Sequence, residues 1–301
     1  MRILITGGSG LLGINWAAAL RDGNEVLLGI HSRSARLAGT RSIALTMDQP
    51  EAFERQLAEA KPDLVVHAAG LSSVDGCERQ PELAFAINAG LAKTVATAAQ
   101  ALGIALAHIS TDHVFSGERA LCTEGDAPEP LNAYARSKLE GEREVARACP
   151  GALIVRTNFF GWGPAGRQSI SDWILAGLRA RAPLTMFSDL YFTPILASRL
   201  AIRVRSLVEA GASGILHVAG EERVSKHAFA LRLATAFGLP TDSIREGRFA
   251  DAKLAAPRPR DMSLSCERAR SILGQGAGGL DEHLAELREQ ERSGLAAELK
   301  R

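Results

Sequence analysis

Tyr134 and Lys138 stand four residues apart in Tyr134-Ala135-Arg136-Ser137-Lys138. On a helix that spacing puts both side chains on one face, one turn apart. A free phenol has a pKa of about 10 and holds its proton at neutral pH. A neighbouring ammonium stabilises the phenolate. Such a pair can act as general acid or base on a carbonyl or an alcohol. The spacing alone is common on ordinary surface helices. Here it gains weight because the chain has only two tyrosines. Thr111 closes the run His108-Ile109-Ser110-Thr111 and can offer a hydroxyl to the same oxygen. Asp112, next to it, has two readings: a substrate contact, or a cap for the following turn.

A second group of residues opens the sequence as MRILITGGSGLLG. A short apolar run leads into Gly7, Ser9, Gly10, Leu11, Leu12 and Gly13, in the spacing G-x-x-G-x-x-G. This reads as buried strand, glycine turn and helix start. Gly7 takes the turn, Gly10 lets a pyrophosphate approach the backbone, and Gly13 lets the helix pack closely. Phosphates would then meet the free N–H groups of the helix N-terminus. A plain structural turn is the competing reading, and the strand–turn–helix context favours dinucleotide binding. The next strand ends Leu28-Gly29-Ile30-His31-Ser32-Arg33, without the acid that holds both ribose hydroxyls of NAD. Gly29 leaves space there, and Arg33, with Arg36 beyond, can grip a 2′-phosphate. The expected cofactor is therefore NADP(H) in preference to NAD(H), with His31 beside it; solvated arginines are the alternative. Ala68-Ala69-Gly70 is small enough for a cofactor to lie flat on the backbone.

These groups need a frame. Apolar strands at Glu25–Ile30, Ser42–Met47, Asp63–Ala68, Ala105–Ser110 and Ala152–Thr157 alternate with helical patterns near 11–22, 50–60, 81–102 and 132–148. Alternation of this kind predicts an α/β fold, a Rossmann-type doubly wound parallel sheet with right-handed crossovers. Ligands of such sheets sit beyond the carboxyl ends of the strands, which is where Thr111 falls. The second half is less regular. Helices are expected near 169–181, 196–209, 225–237, 265–273 and 280–291, with strands at Leu184–Phe187 and Gly214–Val218. Phe192-Thr193-Pro194-Ile195 would mark re-entry into the sheet. Residues 1–157 and 194–219 form the expected NADP-binding domain, and 158–193 with 220–301 a smaller C-terminal substrate lobe. The charged last residues read as a solvated or frayed helix.

With 301 residues, 46% of them hydrophobic, the chain can build a sizeable core, and its net charge of +1 favours neither nucleic acid nor an anionic membrane surface. No run reaches the roughly 20 apolar residues that span a bilayer. The first strand begins at once, so no signal peptide is expected. The four cysteines are scattered without metal spacing, as in a reduced, cytoplasmic protein with no metal site.

Taken together, Gly7/Gly10/Gly13, Thr111 and Tyr134-x-x-x-Lys138 resemble the extended short-chain dehydrogenase/reductase family. The finer resemblance is to its dTDP-4-dehydrorhamnose reductase branch. It is carried by HAAGLSSVD (67–75), HISTDHVFSG (108–117), LNAYARSKLEGE (131–142), LIVRTN (153–158) and APRPRDMSLS (256–265). The resemblance implies that Tyr134 donates a proton, that Lys138 holds the cofactor ribose and tunes Tyr134, and that Thr111 bonds a 4-keto oxygen. It also implies that Asp48 reaches the adenine, and that Ser72, Val74, Asp112 and His113 line a sugar site. The branch usually has Tyr where this chain has His113, and Trp where it has Phe159, which follows Asn158. The substrate wall is thus altered. The dehydratases of the superfamily carry Glu at position 113, so dehydration is not expected. Arg258 and Arg260 either hold a nucleotide diphosphate or solvate a loop. Trp162 and Trp173 read as core, and His67 as a buried core histidine. The implied partner is a nucleotide-sugar substrate, with a homodimer as the expected assembly. The implied activity is NADPH-dependent reduction of a 4-keto group. Two alternatives stand beside it: a sugar-nucleotide epimerase, and a non-catalytic protein like the regulatory subunit of methionine adenosyltransferase.

Overall fold

The computed structural model describes residues 1–252 and 254–300. The first half supplies β1 (Arg2–Thr6), β2 (Glu25–Ile30), β3 (Thr40–Ala44), β4 (Leu64–His67), β5 (Ala105–Ile109) and β6 (Leu153–Arg156). The second half adds the short strands β7 (Phe159–Phe160), β8 (Leu184–Phe187), β9 (Tyr191–Phe192) and β10 (Ile195–Leu196), then β11 (Gly214–His217). The central sheet is seven-stranded and parallel, in the order β11-β6-β5-β4-β1-β2-β3. Its inner strands read as apolar runs rather than alternations because both faces are covered. Ile3, Ile5, Val26 and Leu28 face one core, and Leu4, Leu27, Val65 and Leu106 the other.

The first core is closed by α1 (Leu11–Leu20) and, from the far half of the chain, α8 (Ala197–Glu209). The second is closed by α2 (Pro50–Ala60), α5 (Leu91–Ala101) and α6 (Ala133–Ala148). The single helix expected over 81–102 is broken. Helix α3 (Val74–Arg79) is followed by α4 (Pro81–Phe85), a π turn at Ala86–Gly90, and α5. A π turn carries one residue more per turn, and such turns recur at functional sites. Here it brings in Asn88, which is buried.

Small sheets lie outside the central one. Strand β10 pairs with β7, so Ile195 does not re-enter the main sheet; the return is made by β11. Strand β9 is flanked by β12 (Val224–Ser225) and β14 (Asp261–Met262), and β13 (Ile244–Gly247) pairs with β8. Between them lie α7 (Ile170–Arg179), α9 (Lys226–Phe237) and α10 (Glu267–Leu273). The C-terminal segment corrects the expectation of a solvated tail. In α11 (Leu280–Arg292) and α12 (Leu295–Glu298) the apolar positions face inward: Leu284 and Leu287 are buried, as are Ala296 and Leu299 beyond. The indole N–H of Trp162 donates to the Leu287 carbonyl at 3.1 Å. Arg21 bonds both carboxylate oxygens of Glu298, at 2.6 and 3.0 Å. Trp162 is core, as expected, but Trp173 is 44% exposed. Among the described residues no helix is long and apolar enough to cross a membrane.

Candidate active site

A cleft of about 520 Å³ opens beyond the carboxyl ends of β1, β2 and β4. Its lining includes Gly7, Ser9, Gly10, His31, Arg33, Asp48, Ala68, Ala69 and Gly70. Gly7 has φ +70°, and a Cβ there would stand 2.8 Å from the backbone of Ala69. A Cβ on Gly13 would come within 2.5 Å of the Gly7 carbonyl. The turn and the close helix approach thus both require glycine. Gly10 precedes α1 in extended conformation and makes no side-chain cap. The first helical hydrogen bond runs from Ile14 to Gly10, so the N–H groups of Leu11, Leu12 and Gly13 precede the ladder and suit an anion. The Leu12 side chain itself belongs to the core. Sequence reasoning missed the rest of the lining: Ile30, Ser32, Met47, Ala86, Ile87, Leu91 and Arg167.

Gly29 lines the cleft, and a Cβ there would meet Leu45 Cδ1 at 2.2 Å. That glycine serves the packing of β2 on the chain after β3. Arg33 itself is exposed at the cleft edge. The dimensions and the donor set fit a dinucleotide.

Buried polar groups pin the segment between this cleft and α6. His67 Nδ1 and Thr6 Oγ1 are 2.8 Å apart, and Thr6 Oγ1 accepts from Ala69 N–H at 3.3 Å. Burial pushes His67 down to about 3, so it is neutral. Asn88 accepts from Leu71 N–H at 2.8 Å and donates to Ser137 Oγ at 2.9 Å. Ser137 lies between Tyr134 and Lys138 on α6.

Helix α6 begins at Asn132, whose Oδ1 accepts from Ala135 N–H at 2.9 Å and whose amide donates to Pro257 O at 2.8 Å. The cap replaces an orphan helix donor's missing partner and ties the helix to the 256–260 segment. Tyr134 is half-buried in the first turn. Burial pushes its phenol up to about 12, against a hydrogen bond with Thr111. Lys138 is buried, and its Nζ donates to the Ile109 carbonyl at 2.6 Å. Burial pushes Lys138 down to about 8, with Glu142 opposing.

Thr111 caps a short turn at Asp112–Val114: its hydroxyl accepts from His113 N–H at 3.2 Å and donates to Asp112 Oδ1 at 3.1 Å. Asp112 is buried and its carboxyl is raised by that burial. Its other oxygen accepts from the Asn158 amide. His113 meets the Tyr134 ring edge-on, with centroids 5.6 Å apart, and burial lowers its pKa. Phe159 is half-buried on β7. Arg258 pairs with Asp75 on α3 at 3.0 Å, so the 256–260 loop is docked rather than merely solvated. Val74 opens α3, and Ser72 accepts from Arg167 at 2.6 Å. Arg260 pairs with Asp189, away from this cluster.

Sheet order, glycine turn and the Thr111–Tyr134–Lys138 grouping define an extended short-chain dehydrogenase/reductase fold. Within that class, the chain belongs to the family described as RmlD substrate binding domain, which matches residues 1–292. It is 32% identical to the probable low-salt glycan biosynthesis reductase Agl14 of Haloferax volcanii, over 95% of this chain and 97% of that protein. It is 30% identical to methionine adenosyltransferase 2 subunit beta of Danio rerio, over 89% and 83% of the two chains. A solved structure of a hypothetical dTDP-4-dehydrorhamnose reductase from Sulfolobus tokodaii superimposes with a TM-score of 0.81 at 33% identity, covering 93% of this chain and 98% of the other.

Proposed function

We propose that this protein is an NADP(H)-preferring reductase of the 4-keto group of a nucleotide-activated deoxysugar. One observation carries the reading: a phenol, a hydroxyl and an ammonium converge at the end of β5, beside a cleft fit for a dinucleotide. Hydride delivery to carbon four is the chemistry a nicotinamide supplies when bound. Tyr134, protonated at neutral pH, gives its proton to the keto oxygen, and Thr111 steadies that oxygen. Lys138 holds the nicotinamide ribose. Gly7, Ser9, Gly10 and the N–H groups of Leu11, Leu12 and Gly13 take the pyrophosphate. His31 and Arg33 take the adenosine phosphate, Asp48 the adenine, and Ala68-Ala69-Gly70 the flat face. Ser72, Val74, Asp112, His113, Asn158, Phe159 and Arg258 belong to the substrate side. Residues 158–193 and 220–301 act as the substrate lobe on a cofactor domain of 1–157 and 194–219.

Cofactor choice follows from Arg33. A charge-assisted contact contributes about 1.5–3 kcal/mol, so NADPH should bind about tenfold or more tighter than NADH in a fluorescence titration. Arg33→Ala should erase most of that difference. Equal affinities in the unmodified protein would remove Arg33 from the assignment.

Steady-state kinetics on dTDP-4-dehydrorhamnose and other 4-keto sugar nucleotides test the activity itself. His113 and Phe159 lack fixed polar contacts that Tyr and Trp supply, and a site built around such contacts discriminates by several kcal/mol. Weak turnover of dTDP-4-dehydrorhamnose, improved in His113→Tyr/Phe159→Trp, is the expected result. Efficient turnover with no gain in the double variant shows that these positions do not set specificity. The similarity to the zebrafish subunit beta favours a second reading, a regulatory partner of another enzyme. Absence of any NADPH oxidation, with stoichiometric capture of a partner, is the outcome that selects it.

A further inference from the structure

Three side-chain nitrogens near His113 and Tyr134 stand without hydrogen-bond partners among the described residues. Nδ1 of His113 and Nη1 of Arg258 are buried and unpartnered. The third is the ammonium of Lys226, the first residue of α9. It stands 3.1 Å from the centroid of the Phe192 ring and donates no hydrogen bond to the described residues. Phe192 is fully buried and pairs with β12 and β14, so the ring is a fixed seat for the cation. The ammonium acts electrostatically on both Asp112 and His113, and Arg258 acts on His113 too. Lys226, on α9, and Arg258, on the 256–260 loop, are thus both within electrostatic reach of His113, which adjoins Tyr134.

The nearby acids do not complete these donors. Asp112 already accepts from Thr111 and from Asn158. Asp75 accepts from Nη2 of Arg258 and from Ala256 N–H, leaving Nη1 open. A half-buried ammonium and a guanidinium nitrogen without acceptors are costly unless a ligand completes them.

We propose that Lys226, flanked by His113 and Arg258, binds an oxyanion of the substrate: a phosphate of the nucleotide diphosphate, or a carboxylate on the sugar ring. This rests on the substrate being a nucleotide-activated sugar. An oxyanion is matched to the site by charge and by its capacity to accept several hydrogen bonds at once. Lys226 was not identifiable from its surroundings in the sequence. It follows Ser225, the N-cap of α9, and reads as an ordinary helix-start lysine.

The test is calorimetric titration of the NADP⁺-loaded protein with dTDP-glucose and with dTDP-glucuronate. The unmodified protein is compared with Lys226→Met and Lys226→Arg. Loss of one charge-assisted contact weakens binding by about tenfold or more. Equal loss for both ligands in Lys226→Met, recovered in Lys226→Arg, assigns Lys226 to the diphosphate. Loss confined to dTDP-glucuronate assigns it to the carboxylate. Unchanged affinities in Lys226→Met, or no binding of either ligand to the unmodified protein, overturn the proposal. NADP⁺ affinity reports on folding, and Lys226→Gln replaces the methionine variant if that affinity is lost. Lys226-dependent binding without turnover of any 4-keto sugar nucleotide would keep the oxyanion site and remove the reductase reading.

Discussion

Tyr134→Phe should lower turnover by roughly 10²–10⁴-fold, the usual span for a general acid, while NADPH affinity stays nearly unchanged. The substitution removes one hydroxyl and keeps the ring that meets His113 edge-on. Lys138 keeps its own anchor on the Ile109 carbonyl, so on the proposed reading cofactor binding would not depend on the phenol. Single-turnover kinetics separate the chemical step from binding. Near-full turnover in the variant would remove Tyr134 from the mechanism. The pH profile gives a further expectation. Tyr134, pushed up to about 12, stays protonated across the working range. Lys138, pushed down to about 8, is charged below that value and neutral above it. Turnover should therefore hold through neutral pH and decline as pH rises past about 8.

The second large effect is on stability. Arg156, on β6, donates to Glu142, on α6, through Nε at 3.0 Å and Nη2 at 2.7 Å. Both side chains are only 2% exposed, and Ser110 also donates to Glu142. Glu142→Leu leaves a buried guanidinium without its acid. Breaking a buried pair in this way costs roughly 3–5 kcal/mol, whereas replacing both partners by apolar groups is far milder. Denaturant unfolding should show that loss in Glu142→Leu, with much of it recovered in Glu142→Leu/Arg156→Met. A small loss in the single variant, or no recovery in the double, would show that the charges are solvated in solution.

Much of the frame was legible because burial on both faces writes parallel strands as apolar runs: Ile3–Ile5, Val26–Leu28 and Leu64–Val66 are such runs, and all are buried. The glycine turn was legible because positive φ and close packing each demand the missing Cβ. Gly29 shows the limit. Its glycine was readable, its reason was not, since Leu45 is sixteen positions away and only the β2–β3 register brings it close. The break in the 81–102 helix left no periodic signature, because a π turn adds one residue without changing composition. The C-terminal helices looked solvated because their apolar positions are sparse, yet Leu284 and Leu287 suffice to seat α11. Arg167 reaches the cleft from a distant segment, and no local spacing marks that.

Asn88 gives the π turn a mechanical meaning. Its amide joins the Leu71 backbone, at the end of the cofactor cleft, to Ser137, on the helix that carries the acid. In the proposed reaction the reductant and the proton, arriving from different sides, would thereby be referenced to a single peg. On that reading, displacement of either segment would carry the other with it and hold the gap between them.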